Sequence, residues 1–586
     1  MLAAPVLAGA VAGVARSAPL ARRPERPAAG TARILHITDT HAQIEPVYFR
    51  EPSANIGVGE AKGRAPHLVG RAMLEHFGIE PGGRASYAAS FLDFEAAARR
   101  YGPMGGFAHI KTLLDQLRDE VGPDRSLTLD GGDLWQGSAV AHRSGGAAMV
   151  ELGNMLGIDA MTGHWEFTYG PEQLRRNLGS FRGVFLAQNV FLTEEAAFAG
   201  ARAFDGATGR VFQPALLRVI GGLRIAVIGQ AFPYVPIAHP RRFVPDWTFG
   251  IHPGPLQALV ADLREHRHAD IVLLLSHNGM DVDLKLAGLV WGIDVILGGH
   301  THDVVPRPSR VANARGTTLV ANGGCSGKFV GVLDIARVRG RAPRLDYRLE
   351  PVFSELLVPD PAVSARIAAL RAAHAATLDE PLTEAAALLF RRGNFNGTMD
   401  DLLCDALLAE PGVDVAISPG FRWGPSFLRG QSITMEDVLA HTAITYPDVY
   451  TQSVTGAELK AILEDSCDNL FNPDPFLQQG GDMARVGGLS YVCRPSNPMG
   501  RRIGDMRLRD GSEVDPARTY RMASWASTTL PQGSRPIWDV VASHLRAAPA
   551  RASASASAGA GAGAEAGAAT SVLVRGENDN PGYART

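Results

Sequence analysis

Cysteine is scarce in this chain: four residues in 586, at Cys325, Cys404, Cys467 and Cys493. No two of them form a CxxC pair, so neither a zinc ribbon nor a redox dithiol is indicated. Cys404 falls on an apolar helical face and is expected in a core. A Cys467–Cys493 disulfide would need an oxidising compartment, and the spacing gives it no support. An excess of one charge is also missing. The net charge is -3 without a basic stripe, which leaves no footprint for nucleic acid. Long apolar runs are absent too. The longest candidate, residues 2–15 (Leu-Ala-Ala-Pro-Val-Leu-Ala-Gly-Ala-Val-Ala-Gly-Val-Ala), is too short and too weakly apolar to span a bilayer. It has the length and small-apolar character of a signal-peptide core. No basic segment precedes it, so the natural start is expected upstream of Met1. Residues 1–31 are therefore read as signal and linker, and the protein as exported to the periplasm.

What is present is a repeated local form. Residues 34–41, Ile-Leu-His-Ile-Thr-Asp-Thr-His, are an alternating β-type run that ends in Asp39-x-His41. Four later segments break in the same way, from a short apolar run through glycine to a metal-capable side chain. They end in Gly132-Asp133, Gly163-His164, Ser276-His277 and Gly299-His300-Thr301-His302. Strand C-termini that open into loops fix ligand atoms in layered α/β proteins, and a preceding glycine permits a sharp turn. A lone histidine is more often a core or surface residue than a ligand. The ordered set of Asp39, His41, Asp133, His164, His277, His300 and His302 points instead to metal.

At this length two domains are expected. From residue 32 to 357, strands alternate with helical patterns, as in a layered α/β domain. A long interruption at residues 45–103 carries helical pieces, such as 86–100, and is expected as an ordered insertion near the site. The Gly-rich turn at residues 322–328 is no P-loop, because Phe329 follows the lysine. An alanine-rich linker helix is expected over 358–380, then a second domain over 381–546, with Thr398 as a helix N-cap. Residues 547–586 begin with an Ala/Ser/Gly run and are expected to be disordered.

These motifs, in this order, resemble the calcineurin-like metallophosphoesterases of the 5′-nucleotidase family, over residues 32–546. The resemblance implies a four-layer α-β-β-α metallophosphoesterase domain plus a smaller α+β C-terminal substrate domain. It also implies two divalent metal ions, manganese by family habit, about 3.5–4 Å apart. Asp39, His41 and His302 would hold one ion and His277 and His300 the other, with Asp133 bridging. Imidazole and carboxylate ligands suit zinc, iron or cobalt as well. Within the family, the stretch Gly-His-Trp-Glu-Phe-Thr-Tyr-Gly at residues 163–170 is similar to the thiosulfohydrolase branch of sulfur-oxidation (Sox) systems. So are Gly-Gly-Asp-Leu-Trp-Gln-Gly-Ser at 131–138 and Arg-Gly-Asn-Phe-Asn-Gly at 392–397.

The departures carry chemistry. Where the wider family has asparagine, His164 stands, and imidazole ligates at least as well. Where the family has a histidine that assists the leaving group, Trp165 stands, which can do neither acid nor base work. That branch's substrate is a cysteine-bound S-sulfonate (thiosulfonate) on the sulfur-carrier protein SoxYZ. Its hydrolysis by metal-activated hydroxide releases sulfate, and its sulfur leaving group is far less basic than an alkoxide; a simple thiol has a pKa of about 8.5. Asp159 is expected to orient His164 from behind, or else to serve packing. Arg422, Arg391, Arg392 and Asn394 are expected to bind the anionic group, since guanidinium offers a fork of donors to a tetrahedral oxyanion. Two other functions remain open: a periplasmic 5′-nucleotidase or phosphodiesterase, and a non-catalytic, metal-stabilised docking subunit of the Sox assembly.

Overall fold

The computed structural model describes residues 32–395, 397–529, 535–547, 572–577 and 579–584. The expected signal and linker, residues 1–31, lies outside the described residues.

Two six-stranded sheets form the N-terminal domain. In the first, Ala32–Ile37 runs parallel to Ser126–Asp130, followed outward by Ala160–Met161 and Val184–Phe185. Its other side pairs antiparallel with Phe329–Ala336, which pairs in turn with Arg344–Pro351. The second sheet has the parallel strands Gly316–Asn322, Val295–Gly298, Ile271–Ser276 and Leu223–Gln230 at its centre. Ser309–Asn313 and Ala215–Ile220 close its edges.

Strand period two explains the layering. Ile34, Leu127 and Leu129 of the first sheet share one core with Ile225, Val227, Leu273, Leu275 and Leu297 of the second. The alternate residues Leu35 and Ile37 face the helices Phe107–Val121 and Ala147–Leu156. Val272, Leu274 and Ile296 likewise face Pro253–Glu265 and Met280–Leu289. Four layers result, helix on sheet on sheet on helix. Strands buried on both faces read as continuous apolar runs, which is why Ile-Val-Leu-Leu-Leu at 271–275 stands out.

The insertion is ordered. Its helices Gly70–Phe77, Arg84–Ala89 and Phe94–Tyr101 send Met73, Leu74, Phe77, Tyr87, Phe94 and Tyr101 into the inter-sheet core. Lys328, from the Gly-rich turn, is buried beneath it. Its Nζ donates to Glu51 and to the Ala88 carbonyl (2.9 Å). That turn therefore anchors the insertion rather than binding phosphate.

The C-terminal domain is built on Val449–Thr455, Thr519–Trp525, Val415–Ser418 and Arg485–Gly487, packed against helices Thr398–Leu408 and Gly456–Phe471. Cys404 is buried in its core as expected. Cys467 and Cys493 are both free and buried, with their sulfurs 3.6 Å apart.

Three expectations need correction. The linker is two helices, Pro361–Ala372 and Ala375–Leu378, interrupted at His374. The cap of Thr398–Leu408 is the extended Gly397; the Thr398 hydroxyl instead accepts the Phe390 amide and donates to the Leu388 carbonyl. Residues 572–577 and 579–584 are not a disordered tail. Residues 548–571 lie outside the described residues, but Val572–Val574 is a strand paired with Leu489–Cys493, and residues 579–584 pack on the insertion. Their partners lie so far away in sequence that local composition could not signal the packing.

Candidate metal centre

All seven residues of the ordered set converge at the C-terminal ends of the parallel strands. Three overlapping groups form: Asp39, His41 and His302; Asp39, Asp133 and His277; and His164, His277 and His300. In each group the ligand atoms lie within 4.8 Å of one another, and every member is buried. Five of the seven, Asp39, His41, Asp133, His300 and His302, have positive φ (44 to 70°). Non-glycine residues rarely adopt that conformation, and it costs on the order of 1 kcal/mol or more for each. The surrounding hydrogen bonds enforce it. Asp39 and His41 amides donate to the carbonyls of Gly132 and Asp133 (both 2.9 Å), and the Ser326 amide donates to the Asp39 carbonyl (2.8 Å).

Side-chain orientation is fixed in the same way. The His277 Nδ1 lies 2.6 Å from the Gly131 carbonyl. Donating there leaves Nε2 facing Asp133 Oδ2 at 3.1 Å and Asp39 Oδ1 at 3.7 Å. Asp133 Oδ2 is also 3.2 Å from His164 Nδ1 and 3.5 Å from His41 Nε2, so it sits at the middle of the cluster. His41 and His302 bring their Nε2 atoms to 3.1 Å. Glu166 is fully buried. Its carboxylate accepts the amides of His164 (2.9 Å), Leu134 (2.8 Å), Trp135 (3.2 Å) and Asp133 (3.3 Å). One side chain thus clamps two ligand loops together.

The donor set fits divalent cations. Its buried imidazole nitrogens and carboxylate oxygens come in three groups whose ligand atoms lie within 4.8 Å of one another, the donor types and spacing that such ions take. Burial holds His164, His300 and His302 below the ordinary imidazole value and lowers His41 to about 4, so these rings are neutral with free lone pairs. His277 differs. Burial opposes its charge, but the carboxylates of Asp133 and Asp39 outweigh that and raise it to about 10.

In chelator-treated protein His277 carries a proton at pH 7, and an incoming cation must displace it. Cation affinity should therefore rise about tenfold per pH unit between pH 7 and 9. Calorimetry in buffers of different ionisation enthalpy should register the released proton. For the cation-free fold the sign is reversed. The charged His277 stabilises it fully below about pH 6.5, and that contribution disappears as pH rises through about 10.

Next to this centre lies a cavity between the domains. Its walls include Asn55, His67, His300, Arg392, Arg422 and Asp482. Arg422 donates to the His300 carbonyl (2.9 Å) and to Gly481, and Arg392 donates to the Thr301 carbonyl (2.9 Å). Both guanidinium groups also pair with Asp482, Arg422 through Nε at 3.6 Å and Arg392 at 3.7 Å, and Arg392 lies 3.9 Å from Asp303. Asn394 also lines the cavity, and its Oδ1 accepts the Ile56 amide (2.7 Å). Arg391 does not reach it. That guanidinium is buried in the C-terminal domain, donating to Asp400 (2.9 Å) and to the His441 carbonyl (2.7 Å). Gly480 reaches the centre instead: a Cβ there would come within 2.0 Å of His300 Nε2.

Asp159 does not orient His164. Its carboxylate is on the surface and accepts the Thr128 amide (2.7 Å). Trp165 does touch the centre. Its amide donates to Asp133 Oδ1 (2.8 Å), and its ring sits among His239 (4.4 Å between centroids), Trp423 (4.9 Å), Phe421 (5.3 Å) and Tyr446 (6.1 Å). Trp423 also stacks on His41 at 5.0 Å. That these rings meet in one wall was not legible in the sequence, because its members come from separate segments.

The fold and the centre define a two-domain metallohydrolase. Residues 32–304 match the family described as calcineurin-like phosphoesterase, and residues 377–531 the 5′-nucleotidase C-terminal domain. The structure of a Thermus thermophilus sulfate thiohydrolase SoxB, solved with glycerol, is 35% identical, covers 94% of this chain and 98% of its own, and superposes with a TM-score of 0.85. The chain belongs to the SoxB branch of the 5′-nucleotidase family. A 5′-nucleotidase precursor, also from Thermus thermophilus, is 22% identical over 93% of this chain and 99% of its own, and shares the fold with a TM-score of 0.69. The trifunctional nucleotide phosphoesterase YfkN of Bacillus subtilis (strain 168) is 24% identical over 70% of this chain. This chain spans about 30% of YfkN's length. Among the described residues, no helix is long and apolar enough to cross a membrane.

Proposed function

We propose that the protein is an exported, periplasmic thiosulfohydrolase that releases sulfate from a cysteine-bound S-sulfonate (thiosulfonate) on the carrier protein SoxYZ. In this reading Asp39, His41, Asp133, His164, His277, His300 and His302 hold two divalent cations, manganese by family habit. Bound there, the cations would supply Lewis acidity toward the sulfonate oxygens and an acidified water as nucleophile.

The observation that carries the reading is the setting of Trp165. Its neighbours on the wall are aromatic rings, and the two imidazoles beside it, His239 and the ligand His164, are both held below their ordinary value by burial. The site thus offers no ready proton to an alkoxide. A sulfur leaving group needs none: the bond from sulfonate sulfur to carrier-side sulfur breaks, its electron pair stays on the carrier, and water oxygen joins the sulfonate. Arg392 and Arg422 line the cavity, where a sulfonate would accept from their guanidinium groups. Asn394 holds the insertion wall, and the aromatic wall keeps water from the other side. Arg391 and Asp159 have no part in this chemistry.

The nucleotidase reading stays open because the same family includes nucleotide phosphoesterases. Cation-loaded protein assayed in parallel on a sulfonated carrier peptide and on nucleoside monophosphates separates the two. Sulfate release with negligible phosphate release is expected; brisk phosphate release with no sulfate overturns the proposal.

A further inference from the structure

The family matches end at residues 304 and 531, yet the last described segment is built into the cavity's support. Val572–Val574 adds in parallel to Leu489–Cys493 of the C-terminal domain, with Tyr491 opposite Val572 and Cys493 opposite Val574. The chain then crosses to the insertion. There the Asn55 amide donates to the Gly582 carbonyl (2.7 Å), the Val69 amide to Pro581 (3.0 Å) and the Ala584 amide to Ser53 (3.0 Å). Asn580 is 2% exposed. Its Nδ2 donates to the Gly57 carbonyl (2.8 Å), and its Oδ1 accepts the Gly582 amide (2.9 Å). A Cβ on Gly582 would meet the Asn55 carbonyl oxygen at 2.1 Å and the His67 carbonyl oxygen at 3.0 Å. Those atoms are backbone and cannot swing aside.

The stretches gripped in this way, residues 53–57 and 67–69, carry the N-terminal wall of the cavity: Asn55, Ile56 and His67. Asn55 Nδ2 donates to Asp303 (2.9 Å), the residue after His302. His67 Nε2 lies 2.8 Å from Asp281. Across the cavity stand Arg392, Arg422 and Asp482. Residues 572–577 and 579–584 therefore tie one wall to the domain that bears the other. Donors that recognise an anion must be held to a fraction of an ångström.

We propose that residues 572–577 and 579–584 are a strap that positions Asn55 and His67 and so sets the affinity of the cavity for its anionic substrate. The proposal rests on the reading of that cavity as the sulfonate site. Asn580 and Gly582 are positioning residues, since neither touches the cavity.

The test uses the full-length, cation-loaded chain as wild type, Asn580→Ala, Gly582→Ala and the control Asp579→Ala, which removes only the exposed pair with Lys62. In Asn580→Ala and Gly582→Ala, amide exchange at Asn55 and Val69 should quicken at least tenfold while that of Ile271–Ser276 stays unchanged. KM for the sulfonated peptide should rise about tenfold with kcat within twofold, and the calorimetric affinity for inorganic sulfate should fall in parallel. Asp579→Ala should match wild type. Faster exchange with unaltered KM and sulfate affinity would make the strap merely structural and overturn the proposal. So would a drop in kcat at constant KM. If wild type binds sulfate but cleaves no sulfonated peptide, the substrate reading fails alone, and the sulfate arm still decides the strap. Wild type that binds no sulfate removes both.

Discussion

Replacing His277 with alanine is expected to strip at least one cation from the protein and to cut turnover about a thousandfold, equivalent to about 4 kcal/mol of lost transition-state stabilisation. The magnitude follows from position. Nε2 of His277 faces the carboxylates of Asp133 (3.1 Å) and Asp39 (3.7 Å), and it belongs to two of the three ligand groups. No neighbour can move in to replace it, because His164 and His300 already lie on the same side with ring centroids 5.1 and 5.3 Å away. Metal analysis of protein purified without added cation, with the sulfonate assay on the same preparation, checks both halves. The fold should persist, since His277 follows the strand Ile271–Ser276 rather than lying within it. The chelator-treated variant should melt lower than chelator-treated wild type, because two buried carboxylates lose the charge that faces them. A folded, cation-poor variant with undiminished turnover would favour the docking-subunit alternative.

Much of this centre was legible because each ligand sits within a few residues of its own strand. The pattern of apolar run, glycine and ligand is local, and strand termini in a parallel sheet bring such turns to one edge. What was not legible depended on distant partners or on side-chain direction. Arg391 and Arg392 are neighbours in sequence, yet consecutive side chains in a non-helical stretch point apart. One therefore pairs with Asp400 inside the C-terminal domain and the other faces the cavity. Nothing in the sequence chooses between them. Asp159 differs for a related reason: its carboxylate accepts the amide of Thr128, in the middle of the strand Ser126–Asp130, away from the ligand end of the sheet. Glu166 was visible as a motif position, but its role as a clamp on four amides needed the loops in place. The strap was hidden most completely. Its gripping residues Asn580 and Gly582 meet partners more than 500 positions earlier.

Trp165→His is the substitution that should change the chemistry most. The proposed division of labour assigns no proton transfer to position 165. An imidazole placed there would offer a phosphoester what this centre lacks, an acid within reach of the leaving oxygen. General acid catalysis is worth about 10²–10⁴-fold, so phosphomonoester hydrolysis should rise at least a hundredfold over wild type. Sulfate release from the sulfonated peptide should gain nothing, since a leaving group with a pKa near that of a thiol, about 8.5, needs no proton. A cost in stability is expected as well. The indole is 4% exposed and packs in one core with Leu403, Trp423 and Trp525 of the C-terminal domain. Large-to-small changes at such sites cost about 3–5 kcal/mol, so Trp165→Ala should melt markedly lower, and Trp165→His should fall between it and wild type. Trp165→Phe keeps most of the packing and adds no proton, so it should leave the pH–rate profile for sulfate release unchanged. If Trp165→His instead speeds sulfate release by the same factor as phosphate release, departure of the sulfur group is assisted by acid after all. The missing histidine would then say nothing about the leaving group, and the preference for sulfonate that rests on it would fall.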